Sequence, residues 1–208
     1  MLRAPSAKSL MTRALCGAAV SLPLLFAALP ALASDAAGKF TVRGVGSNAC
    51  SAVLTSLKDD KIATSLYGSW LMGYASAYNR NVAQTFDILP TPTGSDLMGI
   101  VMAVCRISPT ASLETATAQA LTAVSAMRLT RETPLVKVVS DGKSVDIRQE
   151  AVTNLQQALL DKGLYRGPVN GVSSPALVAS IKTLQTREKL APTGLPDIDT
   201  MIRAILKK

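Results

Sequence analysis

Apolar residues recur at helical spacing along most of the chain, and Gly- and Pro-containing breaks divide the runs. The clearest runs lie in residues 152–206. Val152, Leu155, Leu159 and Leu160 share one face of a predicted helix, and Leu177, Ile181 and Leu184 one face of a second. Ile198, Met201, Ile202 and Ile205 line a third. Gly163 is placed to end the first helix in a left-handed conformation. Ser174 and Pro175 suit the cap and first turn of the second, and Pro196 and Asp197 open the third.

Four further helices are predicted upstream. Ser47 or Asn48 caps one that runs to about Leu57. The next covers residues 62–80, with Leu66, Trp70, Gly73, Tyr74 and Ala77 on the shared face and Gly73 as a point of close helix approach. Pro90 and Pro92 punctuate a loop over residues 86–94. Ser95 caps a third helix with Leu97, Ile100, Val101 and Val104 apolar, broken by Pro109. Ser112 caps a fourth, with Leu113, Ala116, Ala120, Val124 and Met127 inward. Residues 135–139, Asp141-Gly142 and residues 144–147 read as a short hairpin or an extended linker. The expected class is all-α. The expected organisation is a flexible lead over 34–46, a helical domain over 47–130, the linker or hairpin over 131–147, and a three-helix domain over 148–208.

The first 33 residues read differently. Arg3, Lys8 and Arg13 give a basic start, residues 14–29 an apolar run, and Ala31-Leu32-Ala33 a cleavage pattern, so a secretory signal ending before Ser34 is expected. Pro23 and Pro30 interrupt the run, which is short for a membrane span. Cys16 follows Leu15, where a lipid-attachment signal needs a small residue, and is assigned to the discarded signal. The mature protein is then expected in the periplasm of a double-membrane bacterium, without a membrane span. Cys50 and Cys105 are the cysteines left to it, and an oxidising compartment favours a disulfide between them. The alternatives are two free thiols or one active thiol. A bridge would support helices that are rich in alanine and bury little area each.

Net charge is +8 for the whole chain of 208 residues, and loss of Arg3, Lys8 and Arg13 leaves +5. Most of that excess falls after Thr130. No basic cluster is interleaved with aromatics, so nucleic acid is a poor partner. A polymer bearing carboxylates fits the charge better, as does a plain solvated surface. The sequence contains no histidine, which removes His-ligated zinc hydrolases and Cys-His or Ser-His-Asp nucleophilic chemistry. A carboxylate-dependent glycosidase would need a shielded acid. Asp59 and Asp60 sit between Lys58 and Lys61 in a polar turn, and Glu114 reads as a helix-dipole residue. No catalytic residue, metal site or cofactor is assigned.

The C-terminal spacing resembles the three-helix peptidoglycan-binding family. Its V-x-x-L-Q-x-x-L-x-x-x-G-x-Y pattern is filled by Val152, Leu155, Gln156, Leu159, Gly163 and Tyr165. Asn170, Gly171 and Pro175 match the turn, with Ser174 in place of a glycine. Leu184-Gln185 stands where the family has F-Q, and residues 189–194 match the closing G-L-x-x-T-G with Lys189 for the first glycine. The resemblance implies a shallow groove for wall glycan and stem peptide. Tyr165, Arg166, Asn170, Gly171, Gln185 and Arg187 are the residues expected to form it, with Arg166 pairing a stem-peptide carboxylate. Cys50, Trp70, Gly73, Tyr74, Cys105 and Pro109 sparsely resemble small periplasmic helical proteins related to the acid-stress chaperone HdeA and to immunity proteins. That implies a module that engages an envelope protein. The expected protein is therefore non-catalytic and wall-binding, with a protein partner. An inhibitor or immunity protein for a wall-degrading enzyme and a cryptic carboxylate-dependent wall hydrolase are the alternatives.

Overall fold

In the computed structural model, residues 34–35, 37–58 and 60–207 are described. The expected signal over residues 1–33, and Asp59, lie outside them. Among the described residues, seven α-helices run in the order α1 (Cys50–Ser56), α2 (Lys61–Asn81), α3 (Gly94–Ile107), α4 (Leu113–Val124), α5 (Gln149–Asp161), α6 (Pro175–Arg187) and α7 (Ile198–Met201). A two-stranded hairpin, β1 (Leu135–Ser140) and β2 (Lys143–Arg148), precedes α5. The described residues are thus mostly helical, with one small sheet.

Local chemistry explains most of the boundaries. Asp60 caps α2 by accepting the N–H groups of Ile62 and Ala63. Ser112, Ser174 and Asp197 do the same for α4, α6 and α7. Gly163 takes φ +70° after α5. Asp141 and Gly142 both have positive φ, which gives the two-residue turn whose twist suits a hairpin. Two caps differ from expectation: α1 starts after Ala49 and α3 after Thr93, neither with a side-chain cap bond.

Cys50 and Cys105 form a disulfide that joins α1 to α3, with their Cα atoms 4.9 Å apart. Around it pack Val53, Leu71, Leu97, Val101, Leu113 and Leu121, all buried. On α2 the inward face differs from the expected one. Ala63, Tyr67, Leu71 and Ala75 are buried, while Leu66, Gly73 and Ala77 are exposed. Tyr67 can go inside because its hydroxyl accepts Asn48 Nδ2 at 3.0 Å. Nothing approaches Gly73, and the tighter α2–α3 contact is Met72 against Gly94. Trp70 lies at the edge of α2 and covers Gly46, where an added Cβ would fall 2.0 Å from the indole. Its Nε1 donates to Arg43 O at 2.9 Å, so the end of the expected flexible lead is held against α2. Tyr74 donates to Glu114 Oε1 at 3.0 Å. Burial, then this carboxylate, pushes the phenol pKa up to about 12.

Thr41–Lys208 is one compact unit. Thr130, after α4, donates its N–H and hydroxyl to Glu150 at the start of α5. The Arg148 guanidinium lies 5.2 Å from the centre of the Phe86 ring. The Ser125–Met127 turn packs on Ile202–Leu206, a π turn that continues α7. Val138 and Ile147 carry the core from the hairpin into Val152, Leu155, Leu159, Leu177, Ile181 and Leu184. Leu160, expected inward, is 41% exposed.

Candidate functional site

The loops that join α5, α6 and α7 carry the residues singled out in the sequence, and two buried glutamines shape those loops. Gln156 on α5 accepts the N–H of Asn170 at 3.0 Å and of Gly171 at 2.8 Å, and donates to Val172 O at 2.9 Å. Gln185 on α6 accepts the N–H of Gly194 at 2.8 Å and donates to Leu195 O at 3.0 Å. Both side chains are fully buried. Each therefore satisfies backbone groups that would otherwise be orphaned in the interior.

This changes the expected binding surface. Tyr165 is 2% exposed, its hydroxyl donating to Pro168 O at 3.1 Å, and Gly167 lies against its ring. Gly171 is buried with φ +72°, and a Cβ there would meet Gln149 and Thr153. Tyr165, Gly171 and Gln185 thus support the loops from inside and do not line a groove. The reason is tertiary: a helical glutamine and a loop tyrosine look like surface residues until their polar ends find backbone partners. Asn170 stays exposed and turns the loop by accepting the Val172 N–H on Oδ1 at 3.0 Å. Arg166 is exposed on the same loop.

Arg187 is exposed at the end of α6 and lines a different feature. With Lys162, Leu184, Glu188 and Lys207 it borders a cleft of about 430 Å³. Glu188 accepts Lys207 Nζ at 2.6 Å. That bond first, then the charges of Lys207, Arg203 and Arg187, lowers the Glu188 pKa. Among the described residues that line it, one carboxylate faces Lys162, Arg187 and Lys207, an excess of positive charge. The structure therefore places Arg166 with Asn170 on the α5–α6 loop and Arg187 with the C-terminal cations. Sequence reasoning missed Gln156 as a loop clamp, although Leu155-Gln156 and Leu184-Gln185 repeat the same dipeptide on successive helices.

The family described as "Putative peptidoglycan binding domain" matches residues 148–203, from the last residue of β2 into the turn after α7. This segment is similar to that family. No curated protein and no solved structure matches the chain. Among the described residues, no helix is long and apolar enough to cross a membrane.

Proposed function

We propose that this is an exported, non-catalytic protein of the periplasm that binds peptidoglycan through its C-terminal domain and engages an envelope protein through α1–α4. The observation that carries the wall-binding reading is the family match over residues 148–203, laid on a domain whose loops are locked by Gln156 and Gln185 and expose Arg166. Cationic side chains on pre-formed loops suit the carboxylates of wall peptides. The partner reading draws support from Ile62 and Leu66, one helical turn apart on α2 and 80% and 54% exposed.

The test is sedimentation of residues 34–208 with purified, protein-free sacculi. The protein is expected in the pellet at low salt, with no release of soluble muropeptides. Protein left in the supernatant would overturn the wall-binding function, and released muropeptides would overturn its non-catalytic part.

A further inference from the structure

Two clefts meet at the C-terminal end of α5. The cationic one, of about 430 Å³, is bordered by Lys162, Arg187, Glu188 and Lys207. Its neighbour, of about 580 Å³, shares Lys162 and Lys207 and runs back along α5. Asn154, Gln157, Ala158 and Asp161 line this second cleft at spacings of three and four, so one face of α5 forms its wall. Ala126 lines it from the Ser125–Met127 turn, and Ala204 and Ile205 from the π turn. Lys162 Nζ donates to Lys207 O where the two clefts meet. Ala126 and residues 204–207 lie outside the matched segment.

The two halves offer different chemistry. Along α5, the Asn154 and Gln157 carboxamides present donors and acceptors side by side. The Gln157 amide donates to Asp161 Oδ1 at 2.7 Å, which leaves its carbonyl oxygen as an acceptor. The hydroxyl and acetamido groups of a glycan need such mixed partners. Alanine at 126, 158 and 204 leaves room over the backbone for a sugar ring. The cationic half suits a carboxylate, and it already holds one, since Glu188 accepts Lys207 Nζ. Lys162 and Arg187 border the same cleft and exceed that single negative charge. Both α5 and α6 end here, but the carbonyls of Leu159, Leu160, Gln185 and Thr186 are taken by backbone N–H groups of the following turns. No side-chain cation is needed to cap those four carbonyls.

We propose that the two clefts form one muropeptide groove: the glycan lies over Asn154 and Gln157, and a stem-peptide carboxylate enters the cationic half at Arg187 and Lys207. The groove rests on the wall-binding reading and gives it a second contact, apart from Arg166 on the α5–α6 loop. Through Ala126 it also brings the turn after α4 into that contact.

Amide chemical-shift mapping of residues 34–208 with a soluble disaccharide-tetrapeptide tests it, in parallel with sedimentation on sacculi. The N–H groups of residues 154–162 and 204–207 should shift. An N-acetylglucosamine oligomer without peptide should shift residues 154–158 and leave Arg187 and Glu188 in place, and Gln157→Ala should weaken it by about two- to tenfold. Converting the peptide carboxylates to amides should weaken the muropeptide by about 1.4- to 5-fold. Arg187→Ala should cost the acid a similar factor and the amide little. Glu188→Gln should tighten the acid by about 1.4- to 5-fold, because it removes the carboxylate that competes for Lys207. A gain of affinity cannot come from misfolding. Shifts confined to residues 166–172, no response of residues 154–158 to the oligomer, equal binding of acid and amide, or no gain in Glu188→Gln overturns the groove, and wall binding stands if sacculi still carry the protein down. Loss of pelleting in the unaltered protein overturns both.

Discussion

Gln156 and Gln185 make the same pair of bonds one helix apart: each carbonyl oxygen accepts a glycine N–H, and each amide donates to the carbonyl of the next residue. The two glycines, Gly171 and Gly194, share φ near +70°. The domain thus uses one device twice to fix its two loops. Replacing either glutamine with alanine leaves buried donors and acceptors unpaired, at about 1–3 kcal/mol for each group. Gln156→Ala and Gln185→Ala are each expected to destabilise the protein by about 2–4 kcal/mol, seen as a lower urea midpoint. A midpoint unchanged in both would show that the clamps are dispensable.

That device also marks the limit of what could be read from the chain. Features set by neighbours in sequence were legible: the caps at Ser112, Ser174 and Asp197, the left-handed Gly163, and the Asp141-Gly142 turn. Features set by distant partners were not. The face of α2 could turn either Leu66 or Tyr67 inward, and only the reach of Asn48 to the Tyr67 hydroxyl and the packing of α3 decide it. The family resemblance places Tyr165 and Gln185 in a groove, whereas in the fold their polar ends meet backbone.

The Cys50–Cys105 bridge closes a loop with a sequence separation of 55. In the chain-entropy picture a loop of that size stabilises the folded state by about 4 kcal/mol. Reduction, or Cys50→Ser with Cys105→Ser, should lower the denaturation midpoint accordingly. Thiol labelling of the unfolded, unreduced protein after export should find no free thiol.

Glu150 makes stability depend on acid. Partial burial raises its pKa, but the Thr130 hydroxyl, the N–H groups of Thr130 and Arg131, and the Arg131 charge outweigh that and hold it below the ordinary 4.5. A carboxyl lowered on folding stabilises above its unfolded value, and the contribution is lost as pH falls from there through the folded value. Melting temperature should therefore drop as pH falls below about 4.5. Glu150→Gln should cost about 1 kcal/mol at neutral pH, allowing for screening by solvent, and should flatten the acid limb. An acid limb identical in both proteins would remove Glu150 from this role.

Export is tested by mass. The basic start, apolar run and Ala31-Leu32-Ala33 set the expected mature N-terminus at Ser34. Intact-mass measurement of protein from a periplasmic fraction should give residues 34–208 with one disulfide. Recovery of the chain with Met1 retained would overturn the signal.

Arg166 and Arg187, both expected to contact wall, lie in two separate places, the α5–α6 loop and the cleft bordered by Lys162 and Lys207. Each is exposed, and an exposed ion pair contributes only about 0.2–1 kcal/mol. One domain should therefore bind weakly, with a Kd of roughly 10 micromolar to 1 millimolar, and retention would come from the abundance of sites in the wall. Arg166→Ala is expected to raise Kd for sacculi by about 1.4- to 5-fold with little change in Tm, because the residue is exposed. Arg187→Ala should do the same if the cationic cleft also touches wall. Added salt should weaken both the unaltered protein and the variants, and narrow the gap between them, since screening acts on the missing charge. If only Arg187→Ala weakens binding, the contact belongs to the C-terminal cleft, and the α5–α6 loop loses its assigned role.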